Sequence, residues 1–410
     1  MISEKDLQEI IRLQKLWIEE LEQGIPREAA QNIPSLPIHF ALMIVGARRS
    51  GKSTLLRQIL GKQKNFYYLN LEDPRLTSFS ASDFLRVERI FKQDFGSGGV
   101  YFFDEIQNIE RWESFIRYLV DKGEKVVLTG SNASLLSREL GTKLTGRHMN
   151  VELFPFSYTE FLTFSKMQAS LQSYERFLLT GGFPEFLKQR NPAILNELLN
   201  DILMRDIVTR FGIRNSDLLK RIALYLLSHV GKEFSFNSLK KMFQVKSVQT
   251  AIDYVSYFED SYLLFTVSKF SYSYKKQQIS PKKVYSIDTG LSHVNSVSFS
   301  KDQGKMLENS VFLHLKRRYP EIFYFQGEKE CDFIVKEKEK VLSAIQVCWE
   351  LHEENREREL GGLQEAMGQL KLSEGLIVTF NQEDSFELEG KKIKVLPAWK
   401  WMAIRERSKV

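Results

Sequence analysis

At 410 residues the chain has room for two to three domains of about 150 residues each, and with 43% hydrophobic and 27% charged residues it is ordinary globular material, neither disordered nor fibrous. Its 58 Lys and Arg exceed its 52 Asp and Glu by only 6, so where the excess falls matters more than its size. Two cysteines, Cys331 and Cys348, exclude a disulfide framework and a cysteine-only zinc site. No apolar stretch of about 18 residues offers a membrane span, and the charged N-terminus has no apolar signal core, so the expected setting is the reducing cytoplasm.

From Leu7 to Leu21 the apolar residues Ile10, Ile11, Leu13, Leu16, Trp17 and Leu21 recur at helical spacing and predict an amphipathic helix, ended by Gly24-Ile25-Pro26. Four apolar runs of strand length follow at 40–45, 66–71, 100–103 and 125–129. Helix-compatible stretches near 53–63, 82–95 and 111–122 separate them. This alternation predicts an α/β fold with a parallel sheet covered on both faces. Residues 157–211 read as amphipathic helix, interrupted by Gly181-Gly182-Phe183-Pro184. Next come helices at 218–230, 238–243 and 248–258, a β-prone stretch at 263–270, a Lys-rich turn at 272–283 and a strand at 284–287, which is the order of a winged helix-turn-helix. The last unit predicts a helix at 303–318, strands near 322–325, 331–335 and 341–349, a helix at 354–371 and strands at 375–380 and 392–396. The expected boundaries are therefore 1–156, 157–211, 212–295 and 296–410.

The first run ends in Gly46-Ala47-Arg48-Arg49-Ser50-Gly51-Lys52-Ser53-Thr54, which matches G-x-x-x-x-G-K-[ST]. Glycines at those places let the backbone turn tightly, so that its N–H groups and the following helix N-terminus face phosphate oxygens. Lys52 is placed to meet the β- and γ-phosphates, and the Ser53 hydroxyl to hold Mg²⁺. Asp104 and Glu105 end the run Val100–Phe103. There Asp104 can organise Mg²⁺ and Glu105 can polarise an attacking water, which points to ATP hydrolysis beyond nucleotide sensing. Ser131 or Asn132, after the fourth run, is a candidate to orient water, the alternative being a simple exit from the strand. Arg147 is a candidate arginine finger, a role worth about 10³–10⁵ in rate, the alternative being a structural arginine. Glu72 and Asp73 are acidic and close to the site; a loop cap is the other reading of them.

Gly-x-Arg-Arg-x-Gly-Lys-Ser, YLNLEDPRL, FFDEIQNI, LTGSNASLLS, LTGRH, ELFPFSYTEF, LTGGFPEFL and KVYSIDTGL occur in this order. In that, nearly the whole chain resembles a family of prokaryotic AAA-type ATPases with an attached domain of unknown function numbered 4143. The resemblance implies an AAA+-like P-loop core, a helical region, a winged helix and a C-terminal domain similar to restriction endonucleases. It also implies that Lys52, Ser53, Asp104 and Glu105 serve the nucleotide and Mg²⁺, that Ser131 or Asn132 is a sensor, and that Arg147 is a finger.

Nucleases of the PD-(D/E)xK type pair an acidic residue on one strand with E/Q-x-K on the next. Here Asp332 precedes Phe-Ile-Val, Gln346-Val347-Cys348 lies on the following run, and Glu308 on the preceding helix is a possible third ligand. Cys348 stands where the lysine belongs, and nothing in the sequence brings Lys316, Lys336 or Lys340 to its place. The expectation is a nuclease-like fold without nuclease activity. Cys331 and Cys348 are expected on opposite faces of the sheet.

Between Gly212 and Tyr285 there are 12 Lys or Arg against 5 Asp or Glu, a local excess of 7 that leaves the rest of the chain at −1. A positive winged helix is the footprint of DNA backbone contact, with Ser247, Gln249 and Thr250 opening the groove-facing helix and Lys275, Lys276, Lys282 and Lys283 on the wing. The other reading is a packing module whose lysines are solvated. The sequence thus leads to the expectation of an oligomeric, Mg²⁺-dependent ATPase that remodels or translocates on duplex or branched DNA; the alternatives are a nucleotide-driven switch that docks a protein, and an ATP-gated nuclease.

Overall fold

Five strands of the N-terminal third pair in parallel: β1 (Ala41–Gly46), β2 (Phe66–Asn70), β3 (Val100–Asp104), β4 (Val126–Gly130) and β5 (His148–Leu153), in the order β2-β3-β4-β1-β5. The structure is a computed structural model and describes residues 2–33, 36–131, 146–296 and 302–404. Helices Lys52–Leu60, Phe84–Phe95 and Trp112–Asp121 connect β1 through β4. One sheet face buries Leu42, Ile44, Leu56, Tyr68, Phe102 and Val127. The other is aromatic, with Tyr67 stacked on Phe91 at 5.1 Å and Phe84 on Phe115 at 4.7 Å. Both faces are covered, which is why β1, β3 and β4 are buried throughout and apolar except at the ends that carry Thr129 and Asp104. β5 is an edge strand with half its side chains in water, so its sequence carries no apolar run to announce it.

The N-terminal helix, Glu4–Glu20, buries Leu7, Ile10, Ile11 and Ile18. Leu13, Leu16 and Trp17, part of the expected stripe, are about half exposed instead.

Four domains were expected, but the chain divides into two compact units, Met1–Phe154 with Asp260–Tyr262, and Pro155–Glu259 with Leu263–Val410. The reason is a nine-stranded sheet in the second unit. Its strands are β6 (Glu233–Phe234), β7 (Leu264–Lys269), β8 (Lys282–Ser286), β9 (Glu321–Gln326), β10 (Glu330–Glu337), β11 (Lys340–Cys348), β12 (Glu374–Thr379), β13 (Asp384–Leu388) and β14 (Lys391–Pro397), in the order β13-β14-β12-β11-β10-β9-β7-β8-β6. The segment 212–295 and the segment after it meet where β7 pairs with β9 at Ser268–Phe323 and Lys269–Tyr324. Helices Ser216–Ser228, Phe236–Phe243 and Val248–Asp260 precede β7, and the expected Lys-rich turn contains a short helix, Tyr274–Ile279. The Gln303–Lys316 helix is buried all round from Leu307 to Leu315, and its Val311 and Phe312 join Tyr285, Phe333 and Ile345 in the core. The two cysteines are free and share one apolar cluster, contrary to the expectation of opposite faces. A break in register between Cys331 and Ile334 interrupts the two-residue alternation.

Several of the motifs that carry the family resemblance prove to be architectural. Ser157 and Glu160 form a reciprocal cap on the Tyr158–Ser165 helix. Asp288 accepts from Leu291 N at 2.9 Å, capping the Thr289–Asn295 helix, and from Gly182 N at 2.6 Å. A Cβ on Gly182 would lie 2.2 Å from the Phe156 carbonyl oxygen. Gly182→Ala should therefore destabilise the second unit by about 3 kcal/mol, the upper range for forced overpacking. The check is a lower urea midpoint at an unchanged slope. Among the described residues no helix is long and apolar enough to cross a membrane.

Candidate active site

The glycine loop lies at the C-terminal end of β1. Gly46 takes φ +155°, and a Cβ there would meet the Leu153 carbonyl oxygen at 2.1 Å, so only glycine lets the loop leave the sheet beside β5. The loop closes through Gly51, left-handed at φ +96°, into the Lys52–Leu60 helix, whose first N–H groups have no partners within the helix. Buried Arg27 braces it from outside, donating to Ser50 O at 2.8 Å and to Phe154 O at 2.7 Å. Lys52 is buried and donates to the Gly46 and Ala47 carbonyls, each at 3.2 Å, with Glu105 Oε1 3.6 Å away.

β4 is inserted between β1 and β3, so its end reaches the gap between loop and acids. The Thr129 hydroxyl donates to Asp104 Oδ1 and accepts from Glu105 N at 3.0 Å. Asp104 Oδ2 accepts from Ser53 Oγ at 3.0 Å and from Tyr68 OH at 3.2 Å. Glu105 itself is left-handed at φ +51°, a conformation that a non-glycine residue holds only at a cost. Gln107 Nε2 donates to Glu105 Oε2 and lies 3.4 Å from Ser131 Oγ. Burial and the neighbouring Glu105 push Asp104 above the usual carboxylate range. Burial pushes Glu105 the same way, but the Lys52 ammonium, the Gln107 hydrogen bond and the Arg48 guanidinium together outweigh it and hold Glu105 low.

This constellation fits a nucleotide with Mg²⁺. The buried Lys52 ammonium held on the glycine loop suits a phosphate chain, and Ser53 Oγ with Asp104 Oδ2 is a pair of hard oxygen donors suited to that cation. Ser50 Oγ is buried without a partner inside the loop.

Thus Lys52, Ser53, Asp104, Glu105 and Ser131 lie together at one end of the sheet. Asn132 lies outside the described residues. Arg147 is not brought to the loop of its own chain. It precedes β5 at the opposite end of the sheet, since His148 pairs with Ala41 and Leu153 with Gly46, and it pairs with Asp121. Asp73 is a cap: Arg75 holds it down at about 2, and it accepts from Arg75 N at 3.0 Å. Glu72 faces Arg48 of the loop at 3.4 Å. Arg27, Tyr68, Thr129 and Gln107 were not singled out from the sequence. Only the tyrosine gave a signal, as a phenol in an all-buried strand that must find a partner.

The second unit has its own charged cluster. Glu308, Asp332 and Gln346 do come together, each less than a tenth exposed. Asp332 Oδ2 accepts from Val347 N at 3.0 Å, and Gln346 Oε1 accepts from Asp332 N at 3.3 Å. The cation among them is Lys283, one of the four lysines assigned to the wing: its ammonium is 2.9 Å from Asp332 and 3.3 Å from Glu308, and pairs with Glu330. Lys336 pairs with Glu321 instead, and Lys316 lies over Phe265. Burial pushes the Cys348 thiol up to about 12, so it is a neutral apolar group. Among the described residues no three His, Cys, Asp or Glu are arranged to hold a metal ion by themselves.

A family model described as an AAA domain matches residues 39–162, and one described as a domain of unknown function, numbered 8612, matches 171–301. The sequence resemblance implied an attached domain numbered 4143 with a restriction-endonuclease-like C-terminal domain; the model that matches carries a different number. Among relatives, the uncharacterized protein MJ1544 of Methanocaldococcus jannaschii is 36% identical over 433 residues, covering 98% of this chain and 96% of that protein. An uncharacterized protein of Haemophilus influenzae is 31% identical over 343 residues, covering 78% and 84%.

Proposed function

The chain belongs to the family of these archaeal and bacterial relatives and carries an AAA domain, and from that premise we propose that it binds and hydrolyses ATP with Mg²⁺ and couples the cycle to nucleic acid. The observation that carries the first half is the meeting of Lys52, Ser53, Asp104 and Glu105 around one glycine loop. Ser53 and Asp104 would hold Mg²⁺, whose charge offsets that of the phosphates. The loop N–H groups and the helix N-terminus orient the phosphate chain, which offers Lys52 a charged partner in place of two neutral carbonyls. Glu105 takes the proton of the attacking water, and Gln107 and the Thr129 hydroxyl hold it in place.

Lys52→Ala should weaken ATP binding by about 30-fold or more, the low end for removing one partner of a buried charge pair. Titration with a fluorescent ATP analogue reads it, and unchanged affinity would remove the assignment.

The nucleic-acid half rests on the positive excess in 212–285 and on the order helix, strand, helix, helix, strand, short helix, strand there, with β6 and β7 both paired to β8. Within this reading the C-terminal region is a nuclease-like fold without nuclease chemistry, since Glu308 and Asp332 are closed in and already neutralised by Lys283. ATPase rates measured with single-stranded, duplex and branched DNA test the coupling. Rates indifferent to every form would favour the nucleotide-driven switch.

A further inference from the structure

We propose that the segment between β7 and β8, Phe270–Pro281, is a contact for unpaired nucleic-acid strands, with Tyr272 and Tyr274 stacking on bases and Lys275 and Lys276 meeting phosphates. The inference rests on the nucleic-acid reading above and narrows it to a strand type and a place.

Tyr272, Tyr274 and Ile279 are 84%, 74% and 74% exposed, more than any other large apolar side chain among the described residues. They fall within eight residues of one another, on a segment that is fixed at its root. Phe270 packs on Phe323 at 5.7 Å, the Tyr272 ring stands against Phe270 at 5.3 Å, and Gln277 Nε2 donates to Ser271 O at 2.6 Å. The rings are therefore presented to solvent from a packed base.

Charge selects the partner. No Asp or Glu occurs from Ser261 to Ile287, while Lys269, Lys275, Lys276, Lys282 and Lys283 all do. Lys283 is spent on buried carboxylates, and Lys282 is half-buried and donates to Ser268 Oγ at 2.8 Å. Lys275 and Lys276 remain exposed on the same short helix as Tyr274. Aromatic faces interleaved with lysines serve unpaired strands, because a base stacks on a ring only when its own face is free.

Duplex reading through the Val248–Asp260 helix is disfavoured by the same accounting. That helix has no Lys or Arg and carries Asp253, Glu259 and Asp260. The polar side chains expected to reach a major groove are engaged locally: Gln249 Nε2 donates to Asp253 at 2.8 Å, and the Ser247 and Thr250 hydroxyls bond each other at 3.0 Å. The positive footprint of 212–285 therefore lies elsewhere than on its groove-facing helix.

Fluorescence anisotropy of the full chain with labelled poly-dT of about 20 nucleotides, longer than common single-strand sites, and with a duplex of the same length, tests this. The intact chain should prefer the single strand. Tyr272→Ala with Tyr274→Ala should weaken that binding by about tenfold or more. Lys275→Ala with Lys276→Ala should lower the slope of log affinity against log salt by about 1.4, the share of two phosphate contacts on a single strand. Thermal melts matching the parent establish that these surface variants fold. Duplex preferred by the intact chain, or single-strand binding untouched by the tyrosine pair, would overturn this inference and leave the nucleic-acid reading standing. No binding to either nucleic acid would overturn both, and vesicles of anionic phospholipid captured instead, with loss on the same variants, would reassign the segment to a membrane surface.

Discussion

Glu105→Gln should lower ATP turnover by about 10²–10⁴-fold, the range for removing a positioned general base, while ATP still binds. The substitution keeps the shape of the side chain and removes its ability to take a proton. Among the described residues the other acids by the loop are engaged: Asp104 is occupied by Ser53, Tyr68 and Thr129, and Glu72 faces Arg48. Affinity for ATP should be kept or improved, since Lys52 loses an internal partner 3.6 Å away and is left freer to meet phosphate. Steady-state phosphate release, read beside equilibrium ATP binding, separates the two effects. Turnover at the parental rate would sink the assignment of the base, and loss of binding would mean that Glu105 shapes the loop instead.

Lys283→Met should destabilise the second unit by about 3–5 kcal/mol, the cost of leaving buried carboxylates without their counter-ion. Methionine fills nearly the same volume, so the loss is one of charge and not of packing. Lys283 is the partner that Glu308, Glu330 and Asp332 share; of these three Lys305 pairs with Glu308, at 3.0 Å, while also donating to the Gly231 carbonyl. Adding Glu308→Gln and Asp332→Asn to Lys283→Met should recover much of the loss, because the penalty belongs to the unpaired charges. Urea unfolding of the three chains reads this. A loss under about 1 kcal/mol in the single variant, within the scatter of surface substitutions, would mean that water already compensates the carboxylates.

The glycine loop, Asp104 and Glu105 were legible in the sequence because each depends on local backbone: a turn that needs glycine, and acids at the end of an apolar strand. Their supports were not. Arg27 and Thr129 act across 23 and 24 residues of chain, and no local pattern announces such pairings. β5 went unseen because an edge strand in water needs no apolar run. Lys283 is the instructive case. Two adjacent lysines on a strand cannot both face solvent, and residue 283 shares a face with Tyr285 by simple alternation. Lys283 was therefore readable as an inward residue next to the outward-leaning Lys282. Reading the pair as one patch of charge concealed this, and with it the cation that the Asp332 cluster lacked.

The junction of β7 with β9 bears on how the protein can be divided. Two residue pairs join strands that lie more than 50 positions apart in the chain, so the polypeptide on either side of residue 300 completes one sheet. A fragment ending there would keep β7 as a bare edge, able to template pairing with another copy, and would leave Lys283 without its carboxylate partners. The complementary fragment would hold the carboxylates without their cation. Sequence composition invites a cut at this point, but neither piece would be a domain; each is half of a closure that forms only when the chain is whole.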